Sequence, residues 1–325
     1  MKSLFARWAL PAFAAAIGFN SAAADYPTKP VTLVIGFTAG GPTDAVGRYL
    51  ARKLEAELGQ TVVVENRAGA NGVVAVQAVK RAAADGYTLM LGSSGTLSIE
   101  PVYKQKVDYQ VLKDFQPIAL VASYPYLLVV PSGSPFNTVQ ELIAGARKKP
   151  GTLTFASAGS GAVNHLAGEW FKSAAKLDIT HVPYKGDSAA IADLVAGRVD
   201  MAFLSAIAAM PQVQAGKMRA LAIASAAPSP VAPGVPTVAQ AAGIPGFTAE
   251  PWNGVLAPRG LPPEVTLRLN TAVNKIMETA ESREALLKLG QFPMTGSADD
   301  FGRHIRTQTE RWAQVIQESN IAKAE

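Results

Sequence analysis

The chain of 325 residues contains no cysteine. A disulfide framework and a thiolate metal site are therefore excluded. Histidine is scarce as well. His165, His181 and His304 stand far apart in the chain and lack metal-ligand spacing. There is no Gly-x-Ser-x-Gly elbow, and the Asp and Glu pairs fall on predicted solvent faces. A catalytic base would have no nucleophile to serve, so an enzyme is not expected, and neither a cofactor nor a metal is implied. Aromatic residues make up only 7% and are not interleaved with basic ones, which argues against a nucleic-acid partner. Beyond the N-terminal run, no stretch is long and apolar enough to be a membrane span.

Hydrophobic residues, in contrast, reach 49%, enough for sizeable cores and too many for a disordered chain. The length suggests two domains. The start has the three parts of an export signal: the basic Lys2 and Arg7, an apolar run from Trp8 to Phe19, and the small residues Ala22-Ala23-Ala24 before Asp25. About a dozen apolar residues cannot cross a ~30 Å hydrocarbon layer as a helix. Residues 1–24 are therefore read as a cleaved leader, and the periplasm as the destination. Removing Lys2 and Arg7 lowers the formal charge from +5 to +3.

The mature part alternates strands and helices. Val31 to Phe37 is nearly continuous in apolar residues, as in a strand buried on both faces. Val46, Leu50, Leu54 and Leu58 then follow at i, i+4 spacing, a helical face. Strands are expected at 61–64 and 87–91, with a helix at 72–84 between them. After a looser middle the pattern restarts with strands at 126–130, 152–156, 180–182, 199–203 and 221–224. The segment 225–236, rich in Pro, Ala and Ser, reads as irregular. A returning strand is expected at 252–257. Helices then dominate: Pro263 suits a helix start, and Phe301, Ile305, Trp312 and Ile316 share a helical face that should dock on a lobe. Strands alternating with helices imply parallel sheets with helical crossovers. The expected fold is α/β with two lobes: 25–125 with 247–325, and 126–246.

Three loops carry the chemistry. The first, Phe37-Thr38-Ala39-Gly40-Gly41-Pro42-Thr43-Asp44, joins the first strand to the first helix. Its glycines let a ligand approach the main chain, and the helix start offers free N–H groups to an anion. An ordinary turn capped by Thr43 or Asp44 explains the same residues. A phosphate loop is excluded, because Pro42 follows Gly41 where that motif needs Lys. The second loop, Ser157-Ala158-Gly159-Ser160-Gly161 with Asn164 and His165, resembles a dinucleotide fingerprint only superficially, since Asn164 stands at its third glycine. Both loops follow the carboxyl ends of strands, where open α/β folds bind ligands. In the third, Gly92-Ser93-Ser94-Gly95-Thr96, the hydroxyls would meet the same cleft. Arg48 and Arg67 could clamp an anion, but pairing with a local carboxylate such as Glu65 is the commoner use of such residues.

Taken in order, these residues resemble the Bug (TctC-like) family of periplasmic solute-binding proteins of tripartite tricarboxylate transporters. The resemblance rests on Gly40-Gly41-Pro42-Thr43-Asp44, Val64-Glu65-Asn66-Arg67, and Asp85-Gly86-Tyr87-Thr88-Leu89. It continues through Ser157-Ala158-Gly159, His165-Leu166, Val182-Pro183-Tyr184-Lys185-Gly186, Pro236-Thr237-Val238 and Trp252-Asn253-Gly254. It implies a type II periplasmic-binding-protein fold with a hinge. It implies a small carboxylate, a di- or tricarboxylate or an aromatic acid, gripped by main-chain groups at Phe37, Ala39, Gly40 and Asp44 and at Ser157, Gly159, Ser160 and Asn164. Leu204 and Ser205 depart from residues that many relatives carry, and Ser205 is expected near the distal end of the ligand. The implied partners are membrane transporter subunits, with a sensor kinase as the alternative, for a monomeric receptor.

Overall fold

The computed structural model describes residues 26–324; the expected leader lies outside them. Among the described residues, eleven strands form two sheets. The first sheet contains β1 (Val31–Ile35), β2 (Val62–Asn66), β3 (Thr88–Ser93) and β4 (Phe115–Ser123). The second contains β5 (Tyr126–Pro131), β6 (Thr154–Ser157), β7 (Thr180–Pro183), β8 (Met201–Ser205) and β9 (Met218–Ile223). The chain then returns to the first sheet with β10 (Trp252–Pro258) and β11 (Phe292–Pro293). Their orders are β11-β4-β10-β3-β1-β2 and β7-β6-β8-β5-β9.

The sheets are mixed, where the alternation of strands and helices predicts parallel ones. β2-β1-β3 and β7-β6-β8 are parallel. The strands flanking the crossings run the other way: β10 is antiparallel to β3 and β4, and β5 to β8 and β9. Strand β4 falls in the stretch that reads as loose, because Pro117 interrupts an otherwise apolar run and prolines disfavour central strands.

Side-chain alternation builds a core on each face of each sheet. In β1, Leu33 and Ile35 join Val46, Leu50 and Leu54 of the helix Pro42–Leu58, whereas Val34 points to Val76, Phe115 and Phe301. In β5, Leu128 and Val130 pack on Leu142, Leu166 and Phe171, whereas Leu127 and Val129 pack on Leu194 and Leu204. Each such fully buried aliphatic side chain contributes about 1.5–3 kcal/mol. These layers hold the strand ends, and hence the loops, in place.

Only Tyr124 and Pro125 separate β4 from β5. On the return path, Ala249 N–H donates to Ala224 O at 2.7 Å, and Tyr124 N–H to Pro251 O at 2.9 Å. Two neighbouring, hydrogen-bonded segments therefore join the lobes. A third connection differs from the expectation that the last helix docks on one lobe. The helix Ala298–Glu318 places Phe301 and Ile305 in a first-sheet core, and Trp312, Val315 and Ile316 in a second-sheet core. Ile99 and Tyr103 also pack into that second-sheet core. No helix among the described residues is long and apolar enough to cross a membrane.

Candidate ligand-binding site

The first loop leaves β1 and enters the helix Pro42–Leu58 at Gly41, with Pro42 at the first helical position. Neither Thr43 nor Asp44 caps the helix: the N-cap is Gly41, without a side-chain bond. Asp44, buried in the first turn, instead reaches back. Its Oδ2 accepts from Gly40 N–H and from Arg48 Nε, both at 2.9 Å, and its Oδ1 accepts from Asn66 Nδ2 at 2.9 Å. Asn66 also donates to Phe37 O at 3.0 Å. Burial alone would raise the Asp44 carboxyl. The bonds from Arg48, Gly40 and Asn66 outweigh it and hold the group below its usual range. Gly40 has φ +90, a conformation that L side chains rarely adopt.

The second loop is tied by neutral groups. Ser157 Oγ lies 2.7 Å from His181 Nε2 and accepts from Gly159 N–H at 3.1 Å. Asn164 Oδ1 accepts from Ala158 N–H at 3.2 Å, and His165 Nδ1 from Gly161 N–H at 3.2 Å. The imidazoles of His165 and His181, distant in sequence, meet with ring centroids 4.2 Å apart beside Phe155. Burial pushes His165 down to about 3, helped by His181 and then by the charge of Lys172, and pushes His181 down to about 4, helped by the charge of Lys172. Both rings are thus neutral at ordinary pH.

Several groups of the expected grip already have partners within their own loops. The N–H groups of Gly40, Ala158, Gly159 and Gly161, the Asp44 carboxylate, and the polar atoms of Ser157, Asn164 and His165 are spent on holding their own loops. Among the described residues, the main-chain N–H groups of Thr38, Ala39 and Gly41 in the first loop, and of Ser160 in the second, have no partner. Thr38, Ala39, Gly40 and Ser160 are exposed, whereas Phe37, Gly41, Ala158 and Gly159 are half-buried. Sequence patterns locate such loops but do not tell which donors remain free.

The third loop turns inward. Gly95–Ile99 forms a π-helical turn and every residue from Leu91 to Glu100 is buried. Thr96 Oγ1 donates to Asn71 O at 2.8 Å and lies 3.3 Å from Ser93 Oγ, and Ser94 Oγ accepts from Trp252 N–H at 3.4 Å. These hydroxyls brace the first lobe. Arg67 pairs with Glu65 at 2.7 Å, and Arg48 is held by Asp44 and Asn66; neither guanidinium is left as a clamp.

Residues from outside the three loops gather near the crossing, the expected Ser205 among them. Tyr124 packs edge-on against Tyr126, with ring centroids 6.0 Å apart. Asn253 Nδ2 donates to Thr43 Oγ1 at 3.2 Å, and Gln291 Nε2 to Pro42 O at 2.8 Å. Asn253 Oδ1, Gln291 Oε1 and the Oγ of Ser205, which pairs with Tyr126 across β8 and β5, are buried without partners. Asp187, which directly follows the Val182–Gly186 motif, accepts from Asn164 Nδ2 at 3.1 Å.

One cluster resembles a metal site. His165, Glu169 and His181 bring ligand atoms within 4.8 Å of one another. Their partners are already assigned, however: Lys172 Nζ donates to both Glu169 oxygens at 3.0 and 2.9 Å, and the histidines hold Gly161 and Ser157. The cluster is explained as a support of the second loop.

Comparison with known proteins agrees with this architecture. BugT of Bordetella pertussis is 37% identical over 295 residues, covering 90% of each chain. The structure of R. palustris Rpa4515 with adipate superposes with a TM-score of 0.86 at 36% identity, covering 91% of this chain and 99% of that one. MatC (Rpa3494) from Rhodopseudomonas palustris with bound malate gives 0.81 at 33%, covering 90% and 100%. Residues 46–321 match the tripartite tricarboxylate transporter family receptor, TctC. With the mixed two-lobe fold and its paired glycine loops, this places the chain in the Bug/TctC family of solute-binding proteins.

Proposed function

We propose that this protein is a non-catalytic periplasmic receptor that captures a small carboxylate between its lobes, 25–125 with 247–325 and 126–246, and delivers it to the membrane subunits of a tripartite tricarboxylate-type transporter. The observation that carries this reading is the pair of glycine loops. Each follows a parallel strand, each leads into a helix start, each leaves main-chain N–H groups free, and neither contains Lys or Arg. Such donors suit a carboxylate, because hydrogen bonds to an ionised acceptor are short and strong and a helix start favours negative charge. The similar structures with adipate and with bound malate support the ligand class.

Calorimetric titration of the mature protein with mono-, di- and tricarboxylates and aromatic acids, at low and high salt, tests the reading. A saturable carboxylate whose affinity changes little with salt is expected, since contacts inside a closed cleft are weakly screened. Failure of every carboxylate to bind a folded protein would refute it. Small-angle scattering with the saturating ligand should show a more compact particle, as hinge closure requires.

A further inference from the structure

Asp187 opens the helix Asp187–Val195 immediately after Gly186. Its Oδ1 is bonded to Asn164, the same side chain that holds Ala158 N–H in the second loop. One hydrogen-bonding residue therefore separates this carboxyl from the main-chain donors of Ala158–Ser160. Asn164 is its only hydrogen-bond partner among the described residues, and no cation pairs with it. The residue as a whole is partly buried. From the crossing segment it is faced by Tyr124 and Tyr126, whose hydroxyls burial pushes far up and so keeps neutral. Nothing that faces Asp187 supplies positive charge.

The leftover polar groups near the crossing point the same way. Asn253 and Gln291 both turn their amide nitrogens to the protein, at Thr43, Gly92 and Pro42. Their oxygens are buried and unpartnered. Two buried acceptors, on side chains that hold Thr43 and Pro42 at the start of the first helix, thus have no matching donor. A ligand anion seated on the free N–H groups would share this region with Asp187. Two carboxylates in a poorly hydrated space cannot both stay ionised without a cation. Burial, partly offset by Asn164, already raises the Asp187 carboxyl to about 6.

Resting on the receptor reading above, we infer that Asp187 makes the cleft select a carboxylate that also carries a hydrogen-bond donor, a hydroxyl, amide or ammonium group, over a fully ionised dicarboxylate. The donor satisfies Asp187, and a dianion can bind only if a proton is taken up between the two carboxyls.

The test uses matched probes: succinate against succinamate, adipate against adipamate, and butyrate as the simple monocarboxylate. Each is titrated calorimetrically into the wild type and Asp187→Asn, with the fold of the variant checked by circular dichroism. At about pH 8, the monoamide of the better-fitting length should bind at least about tenfold more tightly than its dicarboxylate to the wild type. In Asp187→Asn that preference should shrink to within about twofold, since an amide neither repels an anion nor titrates. Lowering the pH to about 5.5 should strengthen dicarboxylate binding to the wild type alone, with proton uptake seen in buffers of different ionisation enthalpy. Equal binding of dicarboxylate and monoamide to the wild type at both pH values overturns the inference, as does an unchanged preference in Asp187→Asn. Failure of every probe, butyrate included, would instead count against the receptor reading itself.

Discussion

In the first lobe, one ionised carboxylate gathers the loop: Asp44 holds Gly40 N–H, Arg48 and Asn66 together. In the second, the same task falls to uncharged groups: Ser157, Asn164 and the His165 imidazole each fasten one stretch of main chain, and the His181 imidazole holds Ser157 Oγ. Both solutions freeze a glycine turn and leave a few N–H groups free. They differ in what disturbs them. An ionic brace survives until its carboxylate is protonated. A brace of buried neutral histidines fails earlier in acid, because protonation puts charge where there is no water to receive it.

The largest expected effect comes from removing the ionic brace. Asp44→Ala strands Gly40 N–H and the Asn66 amide, and hydrogen bonds to charged groups are worth about 1.5–3 kcal/mol each. Chemical denaturation should show a loss of about 2–3 kcal/mol with carboxylate affinity reduced at least tenfold. Full affinity in a stable variant would show that the loop needs no brace.

Acid should then separate the lobes. His165 and His181 have folded pKa values depressed to about 3 and 4, below the ordinary 6.5. For a buried neutral base, the associated stability is complete above about pH 6.5 and is lost as pH falls toward 4. Each histidine contributes a slope approaching 1.4 kcal/mol per pH unit within that window. Asp44, depressed below 3.8, loses its contribution only at lower pH. Asp187 runs in the opposite sense. Raised to about 6, it holds a proton in the folded state that the unfolded chain has released, so it favours folding as pH falls from about 6 to 4. Thermal melts across this range should therefore decline. His181→Phe should flatten the decline, and Asp187→Asn should steepen it while raising stability near neutrality. A flat profile in the wild type would mean that the imidazoles are solvated.

Glycine replacements sharpen the comparison further. A Cβ at Gly40 meets nothing within 4 Å, whereas one at Gly159 would lie 3.3 Å from Tyr184 O. Both positions have positive φ, +90 and +137, so Gly40→Val and Gly159→Val should each lose about 1–3 kcal/mol through backbone strain. Of the two, Gly159→Val should be the more damaging, as read by denaturation midpoints and ligand titration. The smallest effect belongs to Arg67→Ala. Its exposed pair with Glu65 touches neither loop, and both melting temperature and affinity should stay as in the wild type.

Much of this was legible before the structure. The alternation of apolar strands and amphipathic helices announced the two α/β units, and glycine clusters after strands marked where a ligand could approach. The pairing of Arg67 with Glu65 was legible from their neighbourhood. What escaped depends on contacts between distant segments. Nothing in the chain places His181 against His165, or Asp187 beside Asn164, because those neighbours are created by the register of β7 on β6 and by the helix that follows. The reading of Asp44 as a helix cap failed for a similar reason: Gly41 is the N-cap, and the carboxylate's partner Asn66 arrives on another strand. Strand β4 was hidden by Pro117, which the structure accommodates in a strand paired with β10 through register shifts. The open N–H groups of the loops were the hardest to foresee, since they are what remains after every other bond has been made.

The long terminal helix has a mechanical consequence. At 1.5 Å per residue, its 21 residues form a rod of about 30 Å, bolted near one end by Phe301 and Ile305 and near the other by Trp312, Val315 and Ile316. Arg311 adds a tie to Thr248, on the return path between the sheets. Opposite motions of the two lobes must therefore bend this rod or slide one set of bolts through its packing. The two crossing segments alone would act as a loose door hinge; with the rod beside them they become a hinge with a leaf spring, whose stiffness limits how far the door swings and returns it to one resting angle.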